Sequence, residues 1–284
     1  MRRWALALVL ISCGSHGGIQ HYAAPIEQAQ WQLETSSPLQ CVLSHEIPRY
    51  GKARFISRAH KQLNLNFSLQ MLRKPEKLTP VTLRSVAPAW RPGVTAKTLT
   101  QLSYYSHFDG ELGRKDAWMM IGELEQGMQP TFFYQDWHSE RPVSVGLSVA
   151  NFGPGYQAFV ECVDGLLPYS FDDIAFTVLH HDKSGALTRD SEQRLQRIID
   201  FLELDLSADL VLIDTYTDSY SSEVTNMALT RQQANELKAM LISEGIPERR
   251  ILTQGHGEKR HIASNRTERD RQLNRRVMIR IEQQ

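Results

Sequence analysis

LVLIDTYTD (210–218) is an apolar run that turns polar at its end, and an amphipathic segment at 227–244 follows it. The run predicts a buried strand. In the following segment the apolar residues recur at helical spacing, which predicts a helix with one stripe packed on a sheet. The residues of that stripe are Ala234, Leu237, Met240 and Leu241.

The segments around this strand and helix complete the pattern. Gly245 supplies the left-handed residue that most helix ends require, and Pro247 prevents the helix from resuming. A short strand at 250–254 and a last strand follow. Upstream, residues 173–179 predict a strand, and the spacing of apolar residues between Leu195 and Leu202 predicts a second amphipathic helix. The order strand, helix, strand, helix, strand, strand predicts a layered α/β sandwich.

Polar motifs lie where these predicted elements end. They read TD at 217–218, NMALTRQQA at 226–234, GIPERRILTQGHG at 245–257 and NRRV at 274–277, with Asn265 before the last of them. In this order and spacing the motifs resemble those of the OmpA-like peptidoglycan-binding domain. The resemblance covers about residues 168–284 and implies the same α/β sandwich.

The resemblance implies a receptor for the diaminopimelate of a peptidoglycan stem peptide, which carries an ammonium group and carboxylates. Such a receptor needs one fixed carboxylate and several fixed donors. In the family the Asp of TD holds the amino end, and that role falls to Asp218 here. The alternative is an aspartate that only caps a turn. The residues that the resemblance assigns to the site are Thr217, Asp218, Asn226, Thr230, Gln233, Asn265, Arg275 and Arg276.

Gln233 departs from the family pattern, which has an arginine at this position to hold a carboxylate. Arg231 points about 200° around the helix from Gln233 and substitutes for it only if the helix starts late. Arg275 and Arg276 alternate in direction along a strand, so we expect one to face the site and the other to pair with an acidic helix residue. The departure predicts weak or indirect peptidoglycan binding.

The chain begins MRRWALALVLISCGSHGG (1–18), with two arginines, an apolar run and then small residues. This is the layout of a secretory signal peptide, which we assign to 1–20 with cleavage between 12 and 24. The apolar run is too short to span a bilayer as a helix. Leu10–Cys13 also resembles a bacterial lipobox, in which Cys13 would become the acylated first residue. Ordinary cleavage that discards Cys13 is the alternative.

In either case, processing leaves Cys41 and Cys162 as the unmodified thiols of a chain that has three cysteines. Export places them in an oxidising compartment, which favours a disulfide between them. Two separately buried cysteines are the alternative.

The region from Cys41 to about Leu147 is typical of strands. Residues 63–69 alternate between apolar and polar without a break, which predicts a strand with one buried face. Helical periodicity predicts helices at 117–126 and 156–167. We therefore predict an α+β protein: a mostly antiparallel β domain at 21–167, then the α/β sandwich at 168–284. Further strands are predicted at 81–86, 101–105, 131–134 and 143–149.

Composition and spacing argue against several function classes. Lysine plus arginine and aspartate plus glutamate both number 32, so no overall field draws the chain to nucleic acid. His180 and His181 are neighbours that face opposite sides of a strand, which does not suit a metal site. No Gly-x-Ser-x-Gly elbow is present, and neither remaining cysteine has an evident histidine partner. We predict no catalysis, no cofactor and no metal.

The amino-terminal half carries motifs of its own. These are WRPG at 90–93, FDG at 108–110, TFFYQDW at 131–137 and YSFDDIAFT at 169–177. With the two cysteines and the OmpA-like half, they resemble the MotY family of flagellar motor proteins. The resemblance implies a structural subunit of a periplasmic ring that forms, with a MotX-like partner, around the basal body of a sodium-driven flagellum. It also implies that the ring is associated with peptidoglycan and outer membrane and holds stator units. The alternative is a general outer-membrane or cell-wall tether without a motor role.

Overall fold

The computed structural model describes residues 18–205 and 208–283. Cys13 and most of the predicted signal peptide at 1–20 lie outside these described residues. Among the helices of the described ranges, none combines the length and apolarity needed to cross a membrane.

The chain forms two compact units. The amino-terminal unit contains the described residues up to Ser36, together with Cys41–Ser57 and Asn64–Cys162. The carboxy-terminal unit contains everything after Cys162 and takes in two short segments from the earlier part of the chain, Ser37–Gln40 and Arg58–Leu63. From the sequence we predicted that both segments belong to the first domain and that the domain boundary lies at 167/168.

Backbone hydrogen bonds explain why these two segments belong to the carboxy-terminal unit. Leu167 N donates to Pro38 O at 2.8 Å, His60 N donates to Leu167 O at 3.2 Å and Ala59 N donates to Leu39 O at 2.8 Å. Leu39 also packs against the core of this unit. These bonds join residues far apart in sequence, so local periodicity carries no sign of them.

The amino-terminal unit consists of two five-stranded sheets and two helices, α1 and α2. One sheet has the order β1-β10-β9-β6-β7 and the other the order β2-β3-β4-β5-β8. Strands β1 and β10 run parallel, whereas the pairs β10–β9, β9–β6, β6–β7, β2–β3, β4–β5 and β5–β8 are antiparallel. The elements are β1 (Gln20–Tyr22), β2 (Trp31–Ser36), β3 (Gln40–Ile47), β4 (Gly51–Arg58), β5 (Asn66–Met71), β6 (Thr79–Val86), β7 (Lys97–Tyr104), β8 (Gly110–Leu112), α1 (Arg114–Glu125), β9 (Gln129–Gln135), β10 (Pro142–Gly146) and α2 (Phe152–Asp164).

Aromatic side chains fill the space between the two sheets. Phe67 on β5 lies 5.0 Å from Phe55 on β4 and 5.7 Å from Phe132 on β9, measured between ring centroids. Tyr104 on β7 extends the cluster, with its ring 6.3 Å from that of Phe132. These aromatic rings come from both sheets and are buried, so the sheets share one hydrophobic core. The predicted mostly antiparallel β domain is confirmed.

The carboxy-terminal unit is a four-stranded sheet with the order β11-β14-β12-β13, and its two long helices pack on one face of the sheet. Strands β12 and β13 are parallel, and β14 is antiparallel to both of its neighbours. The core includes the predicted Leu237 and Leu241 of α5. The predicted α/β sandwich is therefore confirmed. The elements are α3 (Phe171–Ile174), β11 (Phe176–His180), α4 (Arg189–Leu204), β12 (Ala208–Tyr216), α5 (Glu223–Ser243), β13 (Ile251–Gly255), α6 (Glu268–Asn274) and β14 (Arg276–Gln283), with a 3-10 turn at Glu248–Arg250.

Two short helices differ from the sequence expectation. The strand predicted at 173–179 begins only at Phe176, because Ser170 and Asp173 form a capping box that folds α3. Asp173 also pairs with Lys61, and this hydrogen bond, with that from Ser170 N, lowers the pKa of Asp173 to about 2. The second helix, α6, was not predicted. The hydroxyl of Thr267 begins α6 by accepting a hydrogen bond from Asp270 N at 3.1 Å.

The helix end predicted at Gly245 is present. Gly245 adopts a φ of 91°, in the region that favours glycine, and Ile246 N donates to Leu241 O at 3.0 Å. This bond satisfies one of the carbonyls that a helix end leaves free, so α5 ends where the sequence predicts.

Cys41 on β3 and Cys162 on α2 form a disulfide, as predicted, with their Cα atoms 6.0 Å apart. The bond closes a loop with a sequence separation of 121 within the amino-terminal unit. Both cysteines belong to that unit, so the crosslink limits the unfolded ensemble of this unit directly.

We predict that Cys41→Ala/Cys162→Ala lowers the free energy of unfolding of the amino-terminal unit by up to roughly 4–5 kcal/mol, the chain-entropy value for a loop of this length. The 5 tryptophans of the chain all precede residue 163, so tryptophan fluorescence during urea unfolding reports on this unit. The matched control is the unaltered chain with and without reductant. Equal urea midpoints, or two alkylatable thiols at Cys41 and Cys162 under non-reducing conditions, would contradict the prediction.

Candidate functional site

A polar cleft of about 390 Å³ lies where β12 ends and α5 begins. Strand β12 delivers Thr217 and Asp218 to the cleft, and the first turns of α5 deliver Asn226 and Leu229. Helix α6 and the residue after it complete the wall. The lining residues are Lys183, Thr217, Asp218, Tyr220, Ser221, Asn226, Leu229, Glu268, Arg271 and Arg275.

Asp218 is the buried acid of the cleft, with 6% of its surface exposed. Its Oδ1 accepts a hydrogen bond from Tyr220 N at 3.0 Å, which shapes the turn after β12. Its Oδ2 lies 2.8 Å from Nη1 of Arg275. Asp218 therefore caps a turn through one carboxylate oxygen and pairs with Arg275 through the other.

Arg275 joins the two acids of the cleft. Its Nη1 donates to Asp218, and its Nη2 donates to Glu268 Oε1 at 2.7 Å. Glu268 also accepts from Arg271 Nη2 at 2.8 Å, and Lys183 Nζ lies 3.9 Å away. The hydrogen bond from Arg275, and after it that from Arg271, holds the pKa of Glu268 below its usual value. The cleft therefore presents alternating fixed charges of both signs.

Asn226 and Thr230 hold the first turns of α5 against the loop that follows β13. Asn226 Nδ2 donates to Ser221 O at 3.1 Å and to Glu258 Oε2 at 2.7 Å. Thr230 is fully buried, and its hydroxyl accepts from Gly257 N at 2.9 Å. Asn226 lines the cleft directly, whereas Thr230 fixes the backbone behind it.

A glycine permits this close contact between α5 and the end of β13. A Cβ atom on Gly255 would lie 2.5 Å from Arg231 N, which is far inside contact distance. Gly255 is therefore a packing requirement of the helix that carries Asn226.

Asn265 supports the cleft from outside its lining. Its Oδ1 accepts from Ser219 N at 3.4 Å and from Asn274 Nδ2 at 3.1 Å. Asn274 is fully buried and also accepts from Ile262 N and Ala263 N at 2.9 and 3.1 Å. This network fixes the loop before α6 next to the turn that contains Asp218.

Arg276 does not reach the cleft. Its Cζ lies 4.1 Å from the ring centroid of Tyr216, and its Nη2 donates to Arg260 O at 2.9 Å. Tyr216 in turn stacks on His256, whose Nε2 lies 2.7 Å from Asp214 Oδ1. Burial lowers the pKa of Arg276. The sequence predicted that one arginine faces the site and the other pairs with an acid on a helix, but Arg275 makes both contacts and Arg276 makes neither.

Gln233 also lies away from the cleft. It is 6% exposed and lines a separate cavity between α4 and α5. Arg231 is exposed and does not line the cleft either. Of the eight residues assigned from the sequence, the cleft brings together Thr217, Asp218, Asn226 and Arg275.

Sequence reasoning missed several charged residues that line the cleft. Glu268 and Arg271 lie on α6, a helix that was not predicted, and Lys183 lies on the loop after β11. The signal was the N-cap pattern Thr267-x-x-Asp270, together with Glu268 and Arg271, an acid and a base three residues apart. In the part of the chain that the structure describes, no group of three or more His, Cys, Asp or Glu is arranged to hold a metal ion.

Comparison with known proteins gives the family. The MotY N-terminal domain model matches residues 22–168, and the OmpA family model matches residues 180–275. The sodium-type flagellar protein MotY of Vibrio parahaemolyticus is 42% identical over 286 residues, covering 98% of this chain and 98% of that protein. The chain belongs to the MotY family.

Other similarities cover shorter stretches of the chain. Outer membrane protein A of Bordetella avium is 48% identical over 65 residues, which is 23% of this chain and 34% of that protein. The solved peptidoglycan-associated lipoprotein of Burkholderia pseudomallei is 20% identical, with a TM-score of 0.34, and covers 37% of this chain and 89% of that one. The OmpA family segment at 180–275 includes all of the lining residues of the cleft.

We predict that Arg275→Ala destabilises the carboxy-terminal unit by about 3 kcal/mol, because it leaves the Asp218 carboxylate buried without its cation. Asp218→Asn in the same chain should restore much of this loss, since the uncompensated charge is then removed. Hydrogen exchange of the β12 and β14 amides measures the effect, because this unit has no tryptophan.

The matched control is Arg280→Ala, which removes an exposed arginine from β14, the strand that begins directly after Arg275. Arg280→Ala should change amide protection little. If Arg275→Ala behaves like this control, or if its effect simply adds to that of Asp218→Asn, the pair is not coupled as the geometry indicates.

Proposed function

We propose that this chain is a structural component of the periplasmic ring of a sodium-driven flagellar motor, and that its carboxy-terminal unit anchors the ring to peptidoglycan. The proposal rests first on similarity along nearly the whole chain to a protein named as a sodium-type flagellar protein. It rests second on the charged cleft within the OmpA family segment.

The ion pair between Asp218 and Arg275 is the observation that carries peptidoglycan binding. Diaminopimelate presents an ammonium and a carboxylate close together, so its receptor needs fixed charges of both signs. Asp218 and Glu268 supply acceptors for the ammonium group. Arg271 and Lys183 supply donors for the carboxylate, and Lys183 is the more exposed of the two. These two cations supply the positive charge that the family arginine would bring at Gln233.

The residues assigned from the sequence take different roles in this proposal. Asp218, Asn226 and Arg275 contact the ligand, and Thr217 lies beside them. Thr230 and Asn265 position the surrounding backbone. Arg276 stabilises the far side of the sheet, and Gln233 takes no direct part.

The amino-terminal unit, in this proposal, joins the ring by contacts with a MotX-like partner and the basal body. Its match to the MotY N-terminal domain over residues 22–168 favours this motor role over a general outer-membrane or cell-wall tether. The location that follows is the periplasm, next to peptidoglycan and the outer membrane. The function needs no catalysis, cofactor or nucleic acid.

We predict that Asp218→Asn weakens binding of the full mature chain to purified sacculi about 10- to 100-fold. Loss of a hydrogen bond from a charged group corresponds to roughly 1.5–3 kcal/mol. Gln233→Arg should leave sacculus binding unchanged, because residue 233 lines a separate cavity and does not line the cleft.

Pull-down with one sacculus preparation at two salt concentrations measures both variants. Glu244→Gln changes the charge equally on an exposed residue that does not line the cleft, and it should leave binding unchanged. If Asp218→Asn binds as tightly as this control, the cleft does not hold the ring and the anchoring proposal is wrong.

Electron microscopy of basal bodies tests the motor role separately. We expect basal bodies from cells that lack the gene for this chain to lack a periplasmic ring, and expression of the unaltered chain to restore it. A complete ring without the chain would favour the general tether instead.

A further inference from the structure

A second cavity of the carboxy-terminal unit is separate from the charged cleft. It has a volume of about 280 Å³ and lies between α4, α5 and the loop that joins β11 to α4. Helices α4 and α5 run parallel, because each leads from the end of one of two parallel strands. The lining residues are His181, Gly185, Ala186, Leu187, Glu192, Leu195, Gln196, Ile199, Gln233, Glu236, Leu237 and Met240.

Two buried polar atoms at this cavity have no hydrogen-bond partner. They are Nδ1 of His181, a residue that is 4% exposed, and Oε1 of Gln233, which is 6% exposed. Buried polar atoms in proteins almost always have a partner, and leaving one without a partner is unfavourable. A ligand that donates hydrogen bonds would satisfy both atoms.

The charges at the cavity indicate whether the hydrogen-bond donor is part of a cation or of an anion. Glu192 and Glu236 line it and are exposed, and its lining contains no lysine or arginine. Burial lowers the pKa of His181, so this side chain adds no positive charge near neutral pH. The cavity therefore favours a cation over an anion.

The walls of the cavity become less polar along the chain direction of α4 and α5. Glu192 on α4 and Gln233 and Glu236 on α5 come first in the chain direction, with His181 at the same end. Leu195 and Ile199 follow on α4, and Leu237 and Met240 follow on α5, so this part of the wall is mainly apolar, with Gln196 as its polar member. This arrangement matches an aliphatic stem that ends in a cationic group.

We propose that this cavity holds the side chain of a lysine or arginine from a partner polypeptide. The aliphatic stem contacts Leu195, Ile199 and Leu237. The cationic head donates to Oε1 of Gln233 and to Nδ1 of His181, whose proton is then on Nε2. Glu192 and Glu236 compensate the charge of the head.

The size and charge of the cavity favour a polypeptide side chain over peptidoglycan. Pockets for whole small molecules occupy about 300–1,000 Å³, so a cavity of about 280 Å³ suits a single side chain. Diaminopimelate ends in a carboxylate as well as an ammonium group, and that carboxylate would lie near two glutamates in a cavity whose lining contains no lysine or arginine. The proposal is therefore independent of the peptidoglycan cleft.

The test uses Nα-acetyl-lysine N-methylamide, titrated into the full mature chain, with the methyl NMR signals of Leu195, Ile199, Leu237 and Met240 as the readout. We expect saturable shifts with a dissociation constant on the order of 1 mM, as suits a ligand of this size. The norleucine analogue has the same stem without the ammonium group, and it should bind at least about tenfold more weakly.

Variants test the polar end of the cavity. Gln233→Leu removes the buried acceptor and should weaken binding of the lysine probe about tenfold without lowering thermal stability, because an unsatisfied buried carbonyl is lost. Glu192→Gln/Glu236→Gln should weaken it about fivefold. The matched control Glu203→Gln/Glu244→Gln makes the same charge change at exposed residues outside the cavity lining and should leave the affinity unchanged.

Three results would overturn the proposal. These are the absence of saturable shifts, equal affinity for the lysine and norleucine probes, and displacement of the probe by muropeptides that carry diaminopimelate. Asp218→Asn should leave probe binding intact while weakening sacculus binding, so failure of the cleft and failure of this cavity give different results.

Discussion

A buried ion pair between Arg275 and Asp218 joins the end of β12 to the start of β14, the two central strands of the carboxy-terminal sheet. Removing either charge from water is unfavourable by several kcal/mol, so each requires the other to be held in place. Glu268 accepts a hydrogen bond from Nη2, the second terminal nitrogen of the same guanidinium. The turn after β12, helix α6 and the start of β14 are therefore fixed together by one side chain.

The other polar contacts at this end of the sheet depend on that arrangement. Asn274 comes directly before Arg275 and satisfies the backbone of the loop before α6. Asn265, on that loop, bonds the turn that contains Asp218. Thr230 fixes α5 to the loop after β13. Several motif residues that belong to the family pattern thus position the cleft without facing it.

Much of this fold follows from sequence pattern, and the exceptions have physical causes. Helical spacing identified α5, and Gly245 ends it where expected, because both are local properties of the chain. Helix α6 escaped prediction because it is short and polar, with only its N-cap pattern as a signal. The place of Asp218 and Asn226 in the cleft could be predicted, because Asp218 follows the end of β12 and Asn226 lies at the start of α5. The direction of Arg276 depends on where β14 begins, and the separation of Gln233 from Asp218 depends on how α5 packs against β12; neither is a local property.

The two early segments that complete the carboxy-terminal unit bear on how this protein is made and how it can be divided. Pro38 and His60 leave the ribosome long before Leu167, to which both are hydrogen-bonded, so this part of the unit cannot form until more than half of the chain has been synthesised. A gene fusion that joins only the sequence from Val163 onward to another protein would omit the two early segments and their backbone hydrogen bonds. The carboxy-terminal unit is continuous in space but not in the gene, and a transplantable version must carry both early segments with it.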